Sequence, residues 1–262
     1  MLRSVSFSLA FILLLGGCAT ATTPGPSLAP TSEPTASLPP PAEPTQKPAA
    51  SPTAAGDAAG AIAGLLGAPW DRLPIDTRSQ LVRRIEAAVG GTLDGLSPSE
   101  GSQRLREMLA GGMPRLEDQT LIHRAHVYLA ALKASDEATC AAITHGALTS
   151  ALDADPPALE AVMGSLDASL YAQWADISVQ AIEAQAKGAP PARTVTQVGT
   201  DAMYAALFAR LPATDEATYR ANATSSEPPT AAMCSLNRAL YVAGLGLDPK
   251  NLATFVLIDV TE

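Results

Sequence analysis

The chain has 262 residues, 47% of them hydrophobic and only 4% aromatic, with a formal net charge of −9. The charge is unevenly placed: residues 71–133 hold nine Lys/Arg against eight Asp/Glu, and residues 134–262 hold six against fifteen. An acidic half of this kind repels phosphate and offers no basic stripe, which excludes nucleic acid as a partner.

The N-terminus carries one positive charge, at Arg3, followed by an uncharged apolar run from Val5 to Leu15 that ends at Gly16-Gly17. A membrane-spanning helix needs about 20 apolar residues, so this run is too short to span and has the form of a signal peptide over residues 1–17. It closes on Leu15-Gly16-Gly17-Cys18. This motif resembles the lipobox of bacterial lipoproteins, a branched apolar residue and two small residues before a cysteine, although Gly16 is less common at its position than Ala or Ser. The resemblance covers only the signal segment. It implies that the Cys18 thiol becomes a thioether to diacylglycerol, that cleavage leaves the acylated cysteine first, and that the protein is held to its membrane by the N-terminal lipid. Acyl chains contribute about 0.8 kcal/mol per buried methylene, so several of them make such an anchor effectively permanent. Ala19 stands where lipoproteins retained at the inner membrane often have Asp, which implies the outer membrane facing the periplasm. The alternative is an ordinary secretory signal with a coincidental cysteine.

From Cys18 to residue 57 the chain is built mainly of Ala, Thr, Ser and Pro and contains ten of the 22 prolines. Too few large apolar side chains are present to offset ordering entropy, so this segment is expected to be a disordered tether biased toward polyproline II. At about 3.1 Å per residue its extended reach is on the order of 100 Å.

Beyond the tether, residues 58–262 show helical spacing: Leu81, Ile85 and Val89; Leu121, Ala125, Tyr128 and Leu132; Leu166, Leu170, Trp174 and Ile177; Met233, Leu236, Leu240 and Leu247. Ser97-Pro98-Ser99-Glu100 has the form of a capping box, and Asp155-Pro156 and Asp248-Pro249 place proline just after a capping carboxylate. Gly90-Gly91, Gly111-Gly112 and Gly188 are stop signals. The pattern predicts an all-α fold, a compact helical bundle of about eight or nine helices. Only Phe255 to Val260 is ambiguous.

Two stretches resemble each other and suggest an internal duplication, of units about 120–171 and 200–241. Ser135-Asp136-Glu137-Ala138-Thr139 returns as Thr214-Asp215-Glu216-Ala217-Thr218, Asp155-Pro156-Pro157 as Glu227-Pro228-Pro229, and Met163-Gly164-Ser165-Leu166 as Met233-Cys234-Ser235-Leu236. Chance matching in an Ala-rich chain is the alternative, and no tetratricopeptide spacing is present.

With Cys18 taken by lipid, Cys140 and Cys234 remain, and an oxidising compartment makes a disulfide between them the simplest pairing. Two free thiols or a redox pair are the alternatives, the latter without C-x-x-C spacing. His123 and His126 lie three apart on one helix face, and with Cys140 and His145 they form a ligand set that zinc accepts. That set competes with the disulfide, so the two histidines are weak metal candidates beside an ordinary half-exposed reading. The carboxylate pairs Glu117-Asp118, Asp136-Glu137 and Asp215-Glu216 invite an acid/base reading, but two of them open predicted helices, where negative charge is favoured by the dipole. Trp174 is expected in the core. Trp70 and the run Ala61 to Leu66 could pack down or stay open to a partner.

No catalytic or cofactor-binding signature occurs, and no cofactor is implied. The leading expectation is a membrane-anchored envelope lipoprotein with a non-enzymatic interaction or accessory domain that docks onto another envelope protein. The alternatives are a periplasmic enzyme acting on a cell-envelope substrate, through an unidentified Asp or Glu, and a metal or small-ligand binder.

Overall fold

A computed structural model describes residues 53–148, 156–222 and 231–261. The signal peptide, Cys18 and the tether up to residue 52 lie outside the described residues. Within them the chain forms eleven α-helices and no strand: α1 (Thr53–Leu66), α2 (Ile75–Val89), α3 (Pro98–Gly112), α4 (Asp118–Ala134), α5 (Glu137–Leu148), α6 (Pro156–Gly164), α7 (Ala168–Lys187), α8 (Gln197–Phe208), α9 (Ala213–Asn222), α10 (Ala231–Leu245) and α11 (Pro249–Ile258). The all-α fold is as the sequence predicts. The helix count is higher than eight or nine because breaks such as Ser135-Asp136, between α4 and α5, are too short to interrupt the apolar spacing. The first helix begins at Thr53, inside the segment assigned to the tether. Phe255 to Ile258 belong to α11.

Local chemistry accounts for most boundaries. The capping box at α3 is formed: the Ser97 hydroxyl accepts from the Glu100 amide at 3.4 Å, and the Glu100 carboxylate accepts from the Ser97 amide at 2.9 Å. Asp167 accepts from Leu170 N at the start of α7, and Asp248 accepts from Lys250 N and Asn251 N at the start of α11. The α7 helix ends on Gly188 with φ 64°, a left-handed cap that a side chain would strain.

The architecture is arranged around α7. A helix with a narrow apolar stripe lies on a surface, but α7 buries Tyr171, Trp174, Ala175, Ile177, Val179 and Ile182, positions that span a little over half of its circumference. It packs against α2, α3 and α4. Close approach to α3 requires a missing side chain, since a Cβ on Gly112 would fall 1.8 Å from the Ala181 carbonyl oxygen. The α1–α3 contact uses the same device, with a Cβ on Gly101 falling 2.6 Å from that of Ala61. Trp70 and Ile62 are buried at 7% and 0% exposure, so the large side chains of this N-terminal apolar segment pack down on the bundle. Tyr171 fixes that segment further by donating to the Leu66 carbonyl at 2.5 Å.

The second half continues with α10 packed on α4 and α5, and α11 packed on α8 and α4. Between α7 and α8 the connection 189–196 is tied down by Arg193, whose backbone N donates to the Pro114 carbonyl at 3.0 Å and whose guanidinium reaches Leu116 O and Asp118. Arg115 adds a bond to the Pro190 carbonyl at 2.7 Å.

The matched stretches do not fall at equivalent places. Met163 to Leu166 spans the end of α6 and the turn into α7, whereas Met233 to Leu236 lies inside α10. Asp136 precedes α5, while Asp215 lies within α9. The pair at 155–157 and 227–229 lies partly outside the described residues. Outside the matched stretches, both α7 and α11 open on a Leu-Asp cap and each buries an aromatic, Trp174 or Phe255, seven residues after the Asp. Ala-rich helices generate short identities out of register with the structure.

Replacing Gly112 by Ala is expected to lower stability by about 1–3 kcal/mol, because neither backbone can give way. Gly60→Ala, whose Cβ would sit 3.5 Å from Pro98, is expected to be neutral or to gain up to about 1 kcal/mol from the removed helical glycine. Urea unfolding midpoints of the two variants distinguish these outcomes.

Candidate functional site

Cys140 and Cys234 are joined as a disulfide with Cα atoms 5.0 Å apart across 94 positions, linking α5 to α10. Both are buried, at 0% and 1% exposure. The sulfur of Cys140 is therefore unavailable to a zinc set with His123, His126 and His145. His123 and His126 are both exposed on α4, more open than the half-exposed edge expected, and the side chain of His145 lies outside the described residues. Among the described residues no group of three or more His, Cys, Asp or Glu side chains is placed to hold a metal ion.

The carboxylate pairs are occupied at helix starts. Asp118 pairs with Arg193, and Glu216 with Arg220 at 2.8 Å. Asp136 accepts from the Thr139 amide at 2.9 Å and hydroxyl at 2.8 Å, which hold its carboxyl below the ordinary range. Asp136 thus caps the start of α5, while Asp118 and Glu216 are held by arginines.

Sequence reading missed a buried polar cluster where α4, α7, α10 and α11 meet. Arg124 of α4 pairs with Asp259, just past α11, with the two side chains only 16% and 15% exposed. The Tyr241 hydroxyl donates to the same carboxylate. Arg124 also lies over the Trp174 ring, 4.7 Å from its centroid, a cation–π contact strengthened by exclusion of water. Tyr128 packs against Tyr241 with ring centroids 4.9 Å apart, and Tyr241 meets Phe255 edge-on at 5.7 Å. The available signal was Arg124 one turn before Tyr128 on the apolar face of α4, a charge where a wholly buried position would exclude one.

Burial pushes the Tyr128 and Tyr241 hydroxyls above the ordinary value of 10.0, and the Asp259 charge pushes in the same direction. The phenols therefore stay neutral in ordinary buffers and can donate hydrogen bonds but not exchange protons near neutrality. With the carboxylate shared between guanidinium and hydroxyl, the cluster suits holding the C-terminal helix against α4 and α10.

A second polar arrangement faces solvent. Gln119, Thr120 and His123 of α4, with Gln173, Asp176, Ile177 and Gln180 of α7, line a groove of about 360 Å³. Arg84 of α2 stands beside it, bonding Glu183 at 2.9 and 3.0 Å and also reaching Asp176. Gln180 donates to the other Asp176 oxygen at 2.8 Å. The groove thus combines neutral amides, an imidazole and a positioned carboxylate.

Comparison with protein-family models, curated proteins and solved structures gives no match for this chain.

Two outcomes follow from this chemistry. Replacing both Cys140 and Cys234 by Ala is expected to lower stability by about 2–5 kcal/mol in denaturant unfolding, and alkylation of the oxidised protein should label neither. For pH, Tyr128, Tyr171 and Tyr241 all have raised values from an ordinary 10.0, burial being the first cause. Below that value both folded and unfolded forms keep these protons, and above it only the unfolded chain ionises, so stability falls as pH rises past about 10. Spectrophotometric titration should show these three tyrosines ionising only together with alkaline unfolding.

Proposed function

We propose that this protein is a bacterial envelope lipoprotein, anchored through a lipid on Cys18, whose helical domain docks onto another envelope component in a non-enzymatic, accessory role. The observation that carries the reading is Leu15-Gly16-Gly17-Cys18 at the end of a short apolar run, followed by a proline-rich stretch that leads to a folded domain. Residues 1–52 would supply anchor and spacer, and the domain beyond them the recognition surface.

The pairing of Cys140 with Cys234 supports export, because buried structural disulfides persist in oxidising compartments and leave Cys18 as the remaining cysteine. Ala19 favours the periplasmic face of the outer membrane. No helix among the described residues is long and apolar enough to cross a membrane, so the reading draws its membrane attachment from the lipid. The best-held carboxylates, Asp118, Asp176 and Asp259, each face an arginine, an arrangement suited to structure more than to proton transfer.

Cys18→Ser is expected to move the protein from the membrane fraction to the soluble fraction and to abolish incorporation of a labelled fatty acid; retention in the membrane would refute the anchor. In-cell crosslinking of the native lipoprotein, against a control ending before Thr53, should enrich one envelope protein reproducibly. Enrichment equal to the control would refute the docking role.

A further inference from the structure

The α4–α7 groove has properties beyond those that packing requires. Ile177, 3% exposed, forms its apolar floor, while the side chains of Gln119, His123 and Gln173 make no hydrogen bond within the described protein. Carboxamides and imidazole each offer a donor and an acceptor, so these three side chains match a ligand that alternates the two, as a peptide main chain does. The charge is also directional. Asp176 and Glu183 share the single cation of Arg84, which leaves one formal negative charge on the α7 side of the groove. Fixed hydrogen bonds from Arg84 and Gln180 hold the Asp176 carboxylate in place without neutralising that excess.

A sugar chain fits less well. Saccharide sites commonly use an exposed aromatic face, and the aromatic on this stretch of α7, Trp174, is 9% exposed and covered by the Arg124 guanidinium. We propose that the groove binds a short extended peptide segment carrying a basic side chain, supplied by the protein on which the domain docks. The main chain would pair with Gln119 and Gln173, an adjacent small apolar side chain would meet Ile177, and the basic group would face Asp176. This inference rests on the docking role proposed above and assigns it to one surface.

The test uses the full-length protein in detergent and two fluorescein-labelled pentapeptides, Ala-Ser-Lys-Ala-Ser and Ala-Ser-Glu-Ala-Ser, followed by fluorescence anisotropy. The lysine peptide should bind about three- to fivefold more tightly at low salt, the scale of one charge reversal beside a half-exposed carboxylate. Gln173→Leu should weaken it several-fold at unchanged melting temperature, and Asp176→Asn should remove the preference between peptides. Equal binding of both peptides, binding of neither, or indifference to Gln173→Leu would overturn the proposal. Displacement by a chito-oligosaccharide with no lysine preference would overturn it in favour of a glycan site. If the lysine peptide binds but crosslinking enriches no envelope protein, the groove stands and the docking role falls; a crosslinked partner without peptide binding gives the reverse.

Discussion

The fold depends on burying α7. A helix buried over more than half of its circumference must be approached by several neighbours at once, and the tightest approach is possible only because Gly112 presents no side chain to the Ala181 carbonyl. Alanine at 181 and glycine at 101 extend the same principle outward, so that α1, α3 and α7 form layers with little room between backbones. Aromatic residues are scarce in this chain, and close backbone packing takes over part of the work that large side chains usually perform.

Charge is distributed with the same economy. Arginines from the balanced first half reach carboxylates of the acidic second half: Arg84 reaches Asp176 and Glu183, and Arg124 reaches Asp259. Separation in sequence is large in each case, so these pairs connect helices that the chain itself does not join. Arg193 works in the opposite direction, bringing the connection after α7 back to Asp118 at the head of α4. A partly buried pair is a weak source of net stability but a strong constraint on register, because leaving one member unpaired is costly. The Arg124–Asp259–Tyr241 arrangement accordingly fixes where the last helix sits.

The same arrangement separates two surfaces of α4. One face carries Arg124 and Tyr128 into the interior, while the other carries Gln119 and His123 to the groove beside α7. A rigid interior face beneath a polar exterior one is a suitable support for recognition, since the groove walls are then set by packing. The lipid anchor proposed at Cys18 and the spacer after it would allow such a surface to meet a partner away from the membrane headgroups.

The sequence by itself determined the helical class, the capping box and the glycine stops at Gly90 and Gly188, and it made Cys140 with Cys234 the simplest pairing, whereas Gly111 and Gly112 lie inside α3. These are local or counting arguments: periodicity and capping chemistry act within a few residues, and cysteine number narrows the pairing to a few options. It also placed His123 and His126 on one helix face, as a three-residue spacing must, and expected them half exposed, where the structure leaves both exposed. The partners of Arg84, Arg124 and Arg193, the mutual approach of Gly112 and Ala181, and the groove between α4 and α7 were decided only by tertiary structure. Each joins residues many turns apart, and short identities in an Ala-rich chain, such as Met163 to Leu166 with Met233 to Leu236, carried no reliable register for placing them. Helical periodicity says which side of a helix is buried; which helix covers it depends on the packing of all the others.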